Sequence, residues 1–147
     1  MKKGFTLVEL LIVLAVIAAL MAVATPMALN AVKQAKASQV AQNLNALKSA
    51  VENYVAMEHS LPTDTSNKLS VNALKSYLSS IPSGYKLYPN TANPTFDSNG
   101  QLRIYVVYED ADVSVTDAKK QNPAVYAYDT IKPDASPTLD TTVTKFW

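Results

Sequence analysis

From Phe5 to Leu29 the chain is almost uninterrupted apolar sequence, and Glu9 is the one charged residue in the run. As an α-helix this stretch is about 37 Å long at about 1.5 Å per residue. A bilayer core needs about 20 apolar residues, roughly 30 Å. The segment is therefore long enough to span a membrane with some tilt. Lys2 and Lys3 precede it, and the next basic residue is Lys33. The excess of positive charge before the span places the N-terminus in the cytoplasm and the remainder outside.

From Asn30 the pattern changes from apolar all round to a single stripe. Val40, Leu44, Leu47, Val51, Tyr54 and Val55 recur at helical spacing, while Lys33, Gln34, Lys36, Gln39, Gln42, Asn43, Lys48 and Glu52 take the other faces. Leu61-Pro62 ends the pattern. The expected element is one continuous helix from about Phe5 to Glu58, with residues 5–29 membrane-spanning and residues 30–60 amphipathic. Its stripe needs a surface to cover it, and residues 61–147 must supply one. The basic residues Lys33 to Lys36 read as a solvated face beside the membrane, with phospholipid contact as the alternative.

In residues 61–147, Leu69, Val71, Leu74, Leu78 and Ile81 predict a short second helix over Val71–Ser79, stopped by Pro82 and Gly84. Tyr85–Tyr88 reads as a short strand. Asp97-Ser98-Asn99-Gly100 is a strong turn signal. Gln101–Tyr108 is the clearest strand, Ala124–Tyr128 another, and Thr141–Phe146 a last one. Strands follow the helix in a block. The class is α+β, an antiparallel sheet laid on the long helix.

Composition narrows the chemistry. The chain has 13 basic and 12 acidic residues, a net charge of +1, so there is no basic footprint for direct nucleic-acid binding. Without cysteine there are no disulfides, thiolate metal sites or thiol nucleophiles. His59, the single histidine, reads as a helix C-terminal residue beside the dipole, with no catalytic partner near it. Three glycines build no phosphate loop, and no Ser/His/Asp pattern is visible. An enzyme is not expected, nor a cofactor.

The string Lys3-Gly4-Phe5-Thr6-Leu7-Val8-Glu9-Leu10-Leu11 closely resembles the class III signal of type IV pilins and type II secretion pseudopilins. The resemblance covers about 25 residues; beyond them the chain matches that family only in outline. It implies a leader of residues 1–4, cut by a prepilin peptidase between Gly4 and Phe5, and methylation of the new Phe5 amine. It implies a pilin-like fold and a homopolymer built at an inner-membrane assembly platform, with a periplasmic or extracellular filament as product. Residue chemistry agrees. Gly4 allows close approach to the backbone, and Glu9 lies one helical turn from Phe5. A carboxylate in a membrane costs about 2.5–3.5 kcal/mol on insertion scales, and buried charges persist when paired. The resemblance supplies the partner: the Phe5 amine of a neighbouring subunit. The competing reading of Glu9 is a helix-start acid favoured by the macrodipole. Pro26 reads either as a static kink or as a point of local melting on leaving the bilayer.

Other readings are weaker. A secretory signal cut after Ala22-Val23-Ala24 would place Glu9 within its apolar core, and its apolar run is long for one. The acidic cluster Glu109, Asp110 and Asp112, with Asp117 nearby, offers calcium candidates but lacks the spacing and glycine of an EF-hand loop. A solvated turn is the alternative. The eight tyrosines read as sheet packing and subunit contact rather than a sugar-binding array. The resemblance leaves two filaments open, a pilus-like fibre and the pseudopilus of a type II secretion system. The absence of the two C-terminal cysteines of many type IV pilins, and of an evident calcium pattern, leaves the subfamily undecided.

Overall fold

A computed structural model describes residues 4–127 and 136–146. The chain divides into two compact units, one ending at Ala35 and the other starting at Lys36. The elements in order are helix α1 (Leu7–Glu58), a 3-10 helix (Val71–Ser76), strands β1 (Tyr85–Pro89) and β2 (Gln101–Tyr108), helix α2 (Val115–Gln121), and strands β3 (Tyr126–Ala127) and β4 (Pro137–Thr144). The expected α+β class is the one observed: a long N-terminal helix packed on a small antiparallel sheet of order β1-β2-β4-β3.

In the first unit every described residue is exposed. Pro26 lies inside α1 with helix on both sides. A proline there removes one main-chain bond. Beside it the Thr25 hydroxyl donates to the Met21 carbonyl at 2.8 Å, one turn back along the helix.

Burial begins at Ala37, where the second unit takes over. Ala37, Val40, Ala41, Leu44, Leu47, Ala50, Val51 and Val55 form the buried stripe of α1. It covers the sheet face made by Leu87, Leu102, Ile104, Val106, Leu139 and Val143, all in one apolar cluster. Register explains the shared face. Leu87 pairs with Val106, Val106 with Leu139, Ile104 with Thr141, and Leu102 with Val143. Thr141 is the polar member of that inner face, and its hydroxyl donates to Glu52 of α1 at 2.5 Å. A buried hydroxyl so paired avoids the penalty of an unsatisfied group.

The sheet ends at β1 on one side. Glu109 N–H donates to the Gly84 carbonyl, and Asn90 N–H to the Arg103 carbonyl. In an antiparallel pair bonded and non-bonded positions alternate. Lys86 and Tyr88 therefore bond to β2, while Tyr85, Leu87 and Pro89 turn their main-chain groups away from it. Among the described residues no other backbone bond reaches those outward groups. Gly84, at φ +82, starts this strand. A side chain there would meet the Asp110 carboxylate and the Tyr108 ring. Gly84→Ala is expected to lower stability by about 1–2 kcal/mol, mainly the cost of a left-handed backbone for a residue with Cβ. Urea unfolding of the full chain in detergent would measure it.

Several expectations need correction. The expected helix Val71–Ser79 is a 3-10 helix ending at Ser76, capped by Ser70, whose hydroxyl accepts from Asn72 N–H. Leu74 is its one buried residue, too little apolar surface to hold a longer α-helix. Among the described residues the expected strand Ala124–Tyr128 pairs at Tyr126 and Ala127, and it starts late because Val125 N–H closes a turn onto the Asn122 carbonyl. Its Tyr128 lies outside the described residues, as do Lys2 and Lys3 of the leader. The last strand starts at Pro137 rather than Thr141 and stops at Thr144, since β2 pairs along it from Gln101 to Val107. Helix α2 was not expected. Ser114 caps it, accepting from Asp117 N–H, and Ala118 is its one buried residue.

Candidate processing and assembly site

Gly4, Phe5 and Thr6 precede the first helical turn in non-helical backbone. Phe5 is 76% exposed, so the Gly4–Phe5 bond sits on an accessible, non-helical segment. Thr6 begins the helix as its cap: its carbonyl accepts from Leu10 N–H at 3.3 Å, and its hydroxyl from Glu9 N–H at 3.3 Å. Glu9 reaches back. Its Oε2 accepts from Thr6 N–H and from the Thr6 hydroxyl, both at 2.8 Å. This is a reciprocal capping box. The Thr6-Leu7-Val8-Glu9 spacing carries its signature, beneath an apolar run that dominates the segment.

The box bears on what Glu9 can do. All three bonds involve Thr6, and both that Glu9 accepts use Oε2. The other oxygen, Oε1, takes part in none of them. A carboxylate offers about four acceptor sites, so a cationic amine can be received without opening the cap. The structure thus gives Glu9 a local role beside the assembly role expected from the sequence.

The span that follows presents apolar side chains on every side. Leu10, Leu14, Ile17, Leu20 and Leu29 are all exposed. By length and composition the helix can cross a membrane. So large an apolar surface needs lipid or other protein around it.

Residues 1–25 match the family model for the prokaryotic N-terminal methylation motif. The chain carries the class III signal of type IV pilins and pseudopilins. No curated protein and no solved structure matches the chain significantly. The prepilin signal covers the positions that hold the Gly4–Phe5 bond, the Thr6–Glu9 box and most of the span. Together, signal and apolar helix fit a precursor anchored in the inner membrane.

The acidic cluster is distributed among different partners. Asp112 pairs with Lys36 and accepts from the Tyr108 hydroxyl at 2.7 Å. Glu109 pairs with Lys86 at 2.7 Å and accepts from the Tyr88 hydroxyl. Asp117 accepts from Ser114 and Lys120 at the start of α2. Asp110 lies against Gly84. Among the described residues no three His, Cys, Asp or Glu side chains form a metal-holding group. Of the calcium candidates, Asp110 and Asp112 line one pocket with Tyr85 and Tyr108, and no third joins them. Asp112 instead ties the loop after β2 to α1, beside the Tyr85 hydroxyl, which accepts from Asn43 at 3.2 Å.

The bonds from Lys36 and Tyr108 hold the Asp112 carboxyl below its ordinary value of 3.8. A depressed folded pKa contributes stability above the unfolded pKa and loses it as pH falls through the folded one. Acid should therefore weaken this tie only below about pH 4. Asp112→Asn is expected to flatten part of the acid loss of the full chain in detergent, by well under 1 kcal/mol because the pair is half exposed. Urea midpoints at about pH 3 and about pH 6 would show it. Tyr108 is pushed up by burial and then by its bond to Asp112. Its contribution is full below the ordinary tyrosine value of 10.0 and fades only in stronger alkali.

Proposed function

We propose that this chain is a structural subunit of a type IV pilus-like filament, stored in the inner membrane and polymerised through its N-terminal helix. The observation that carries this reading is the prepilin signal joined to a helix exposed along its whole first unit. Such a surface is stable in two surroundings, lipid before assembly and neighbouring helices afterwards. A prepilin peptidase cuts between Gly4 and Phe5 and the Phe5 amine is methylated. The incoming amine is received by Glu9 of a neighbouring subunit through the oxygen that the Thr6 box leaves open. That contact sets the axial register, and Pro26 gives the span a point at which to adjust. The globular unit from Lys36 onward forms the filament surface. The role is structural, with the peptidase and the assembly platform as partners.

Mass spectrometry of the mature N-terminus tests the processing step. The expected product begins with N-methyl-Phe5. A product beginning at Thr25 would instead identify a released domain and overturn the proposal.

A further inference from the structure

A cavity of about 620 Å³ lies along the outer side of β1. It falls in the range of about 300–1,000 Å³ typical of ligand sites. β1 lines one side, and the start of the 3-10 helix, with Leu69 and Val71, lines another. Pro94 adds to the apolar lining. The wall opposite the strand is held in place by the fold. Ser70 N–H donates to the Pro62 carbonyl at 2.8 Å, Thr63 bridges to Leu69, and Leu74 is fully buried.

The main chain of β1 gives the cavity its chemistry. Tyr85 and Leu87 turn N–H and C=O away from β2, and the two residues are only 5% and 4% exposed. Among the described residues no hydrogen bond reaches these outward groups. Buried main-chain donors and acceptors are normally paired, because losing water without gaining a partner is costly. The outward N–H and C=O of one strand residue lie on the same side and flank its Cα. Another amino-acid residue in extended backbone answers both at once. A lone trans amide points its N–H and C=O in opposite directions and answers one. Tyr85 and Leu87 repeat the pair two residues apart, the period of a strand. Charge selects further. Lys68 and Lys86 line the cavity against a single acid, Asp64. Asp64 is engaged by the N–H groups of Ser66 and Lys68 at 2.8 and 3.0 Å.

We infer that this cavity is a docking groove for an extended peptide segment of a partner protein, apolar with an acidic residue at one end, which adds a short strand beside β1. With a wall facing the strand, the groove receives a single extended chain and not the flank of a folded sheet. The inference stands apart from the filament reading, since it needs only the unit from Lys36 onward. The test uses the full chain, labelled with nitrogen-15 and held in detergent. The probe is an end-capped peptide of alternating valine and threonine closed by glutamate. A second peptide has the same side chains and every internal amide N-methylated. Saturable NMR shifts of the Tyr85 and Leu87 amides are expected with the first peptide, and roughly tenfold weaker binding with the second, which cannot donate to the strand. Lys68→Glu, a change at an exposed residue, should weaken the first peptide about threefold, the scale of a surface ion pair. No saturable shift at Leu87 would overturn the proposal. So would equal binding of the N-methylated peptide, which removes the main-chain pairing. Shifts of the same amides with protein concentration alone would overturn it too, by making a second copy of the chain the occupant.

Discussion

The full-length chain carrying Glu9→Gln is expected to be cleaved and to stay in the membrane, yet to form no detectable filaments. Glutamine keeps an oxygen for the Thr6 N–H and is itself a residue used in capping boxes. It keeps the local structure and removes the charge. Glu9→Ala removes both. If Glu9 serves only to cap the helix, Glu9→Gln assembles nearly as well as the unaltered chain and only Glu9→Ala fails. If it receives a subunit's amine, both fail alike, because an ammonium left unpaired among apolar helices costs several kcal/mol. Filament yield and leader cleavage, measured together for both variants, separate the two. Normal filaments in Glu9→Gln would sink the pairing role.

Leu44→Ala is expected to destabilise the globular unit by about 2–5 kcal/mol, the range for truncating a buried leucine. Leu44 is fully buried against the sheet, at 0% exposure. Leu14→Ala makes the same chemical change in the same helix, at a residue 63% exposed. In detergent it should leave unfolding of the globular unit within about 0.5 kcal/mol. Urea unfolding followed by near-ultraviolet circular dichroism gives both numbers. A Leu44→Ala loss no larger than that of Leu14→Ala would show that the stripe is not what holds helix to sheet.

Much of the architecture is written in the chain because its signals are local. The long helix announces itself by an apolar run followed by a stripe, and Gln101–Tyr108 by its β-branched and aromatic alternation. The elements that escaped are those whose formation depends on partners distant in sequence. Helix α2 buries Ala118 alone and relies on the Ser114 cap, so periodicity gives it little weight. Strand β4 extends back to Pro137 because β2 pairs with it as far as Thr138 and β3 pairs at Thr138 and Pro137, and nothing in Pro137-Thr138 reads as a strand by itself. The candidate bond Gly4–Phe5 and Glu9 stand out by residue identity alone. The Thr6 side of the box was present in the spacing but hidden beneath the stronger apolar signal.

The outer side of β1 has a consequence for how copies of this chain meet. Exposed strand edges invite irreversible fusion of sheets between molecules. At this edge Pro89 has no N–H to offer, and Tyr85 and Leu87, whose N–H groups point outward, are buried at 5% and 4% exposure beside the 3-10 helix. Lys86, within the same strand, adds the bulk and charge that natural edges use as gatekeepers. Copies of the chain held side by side can thus stay individually folded.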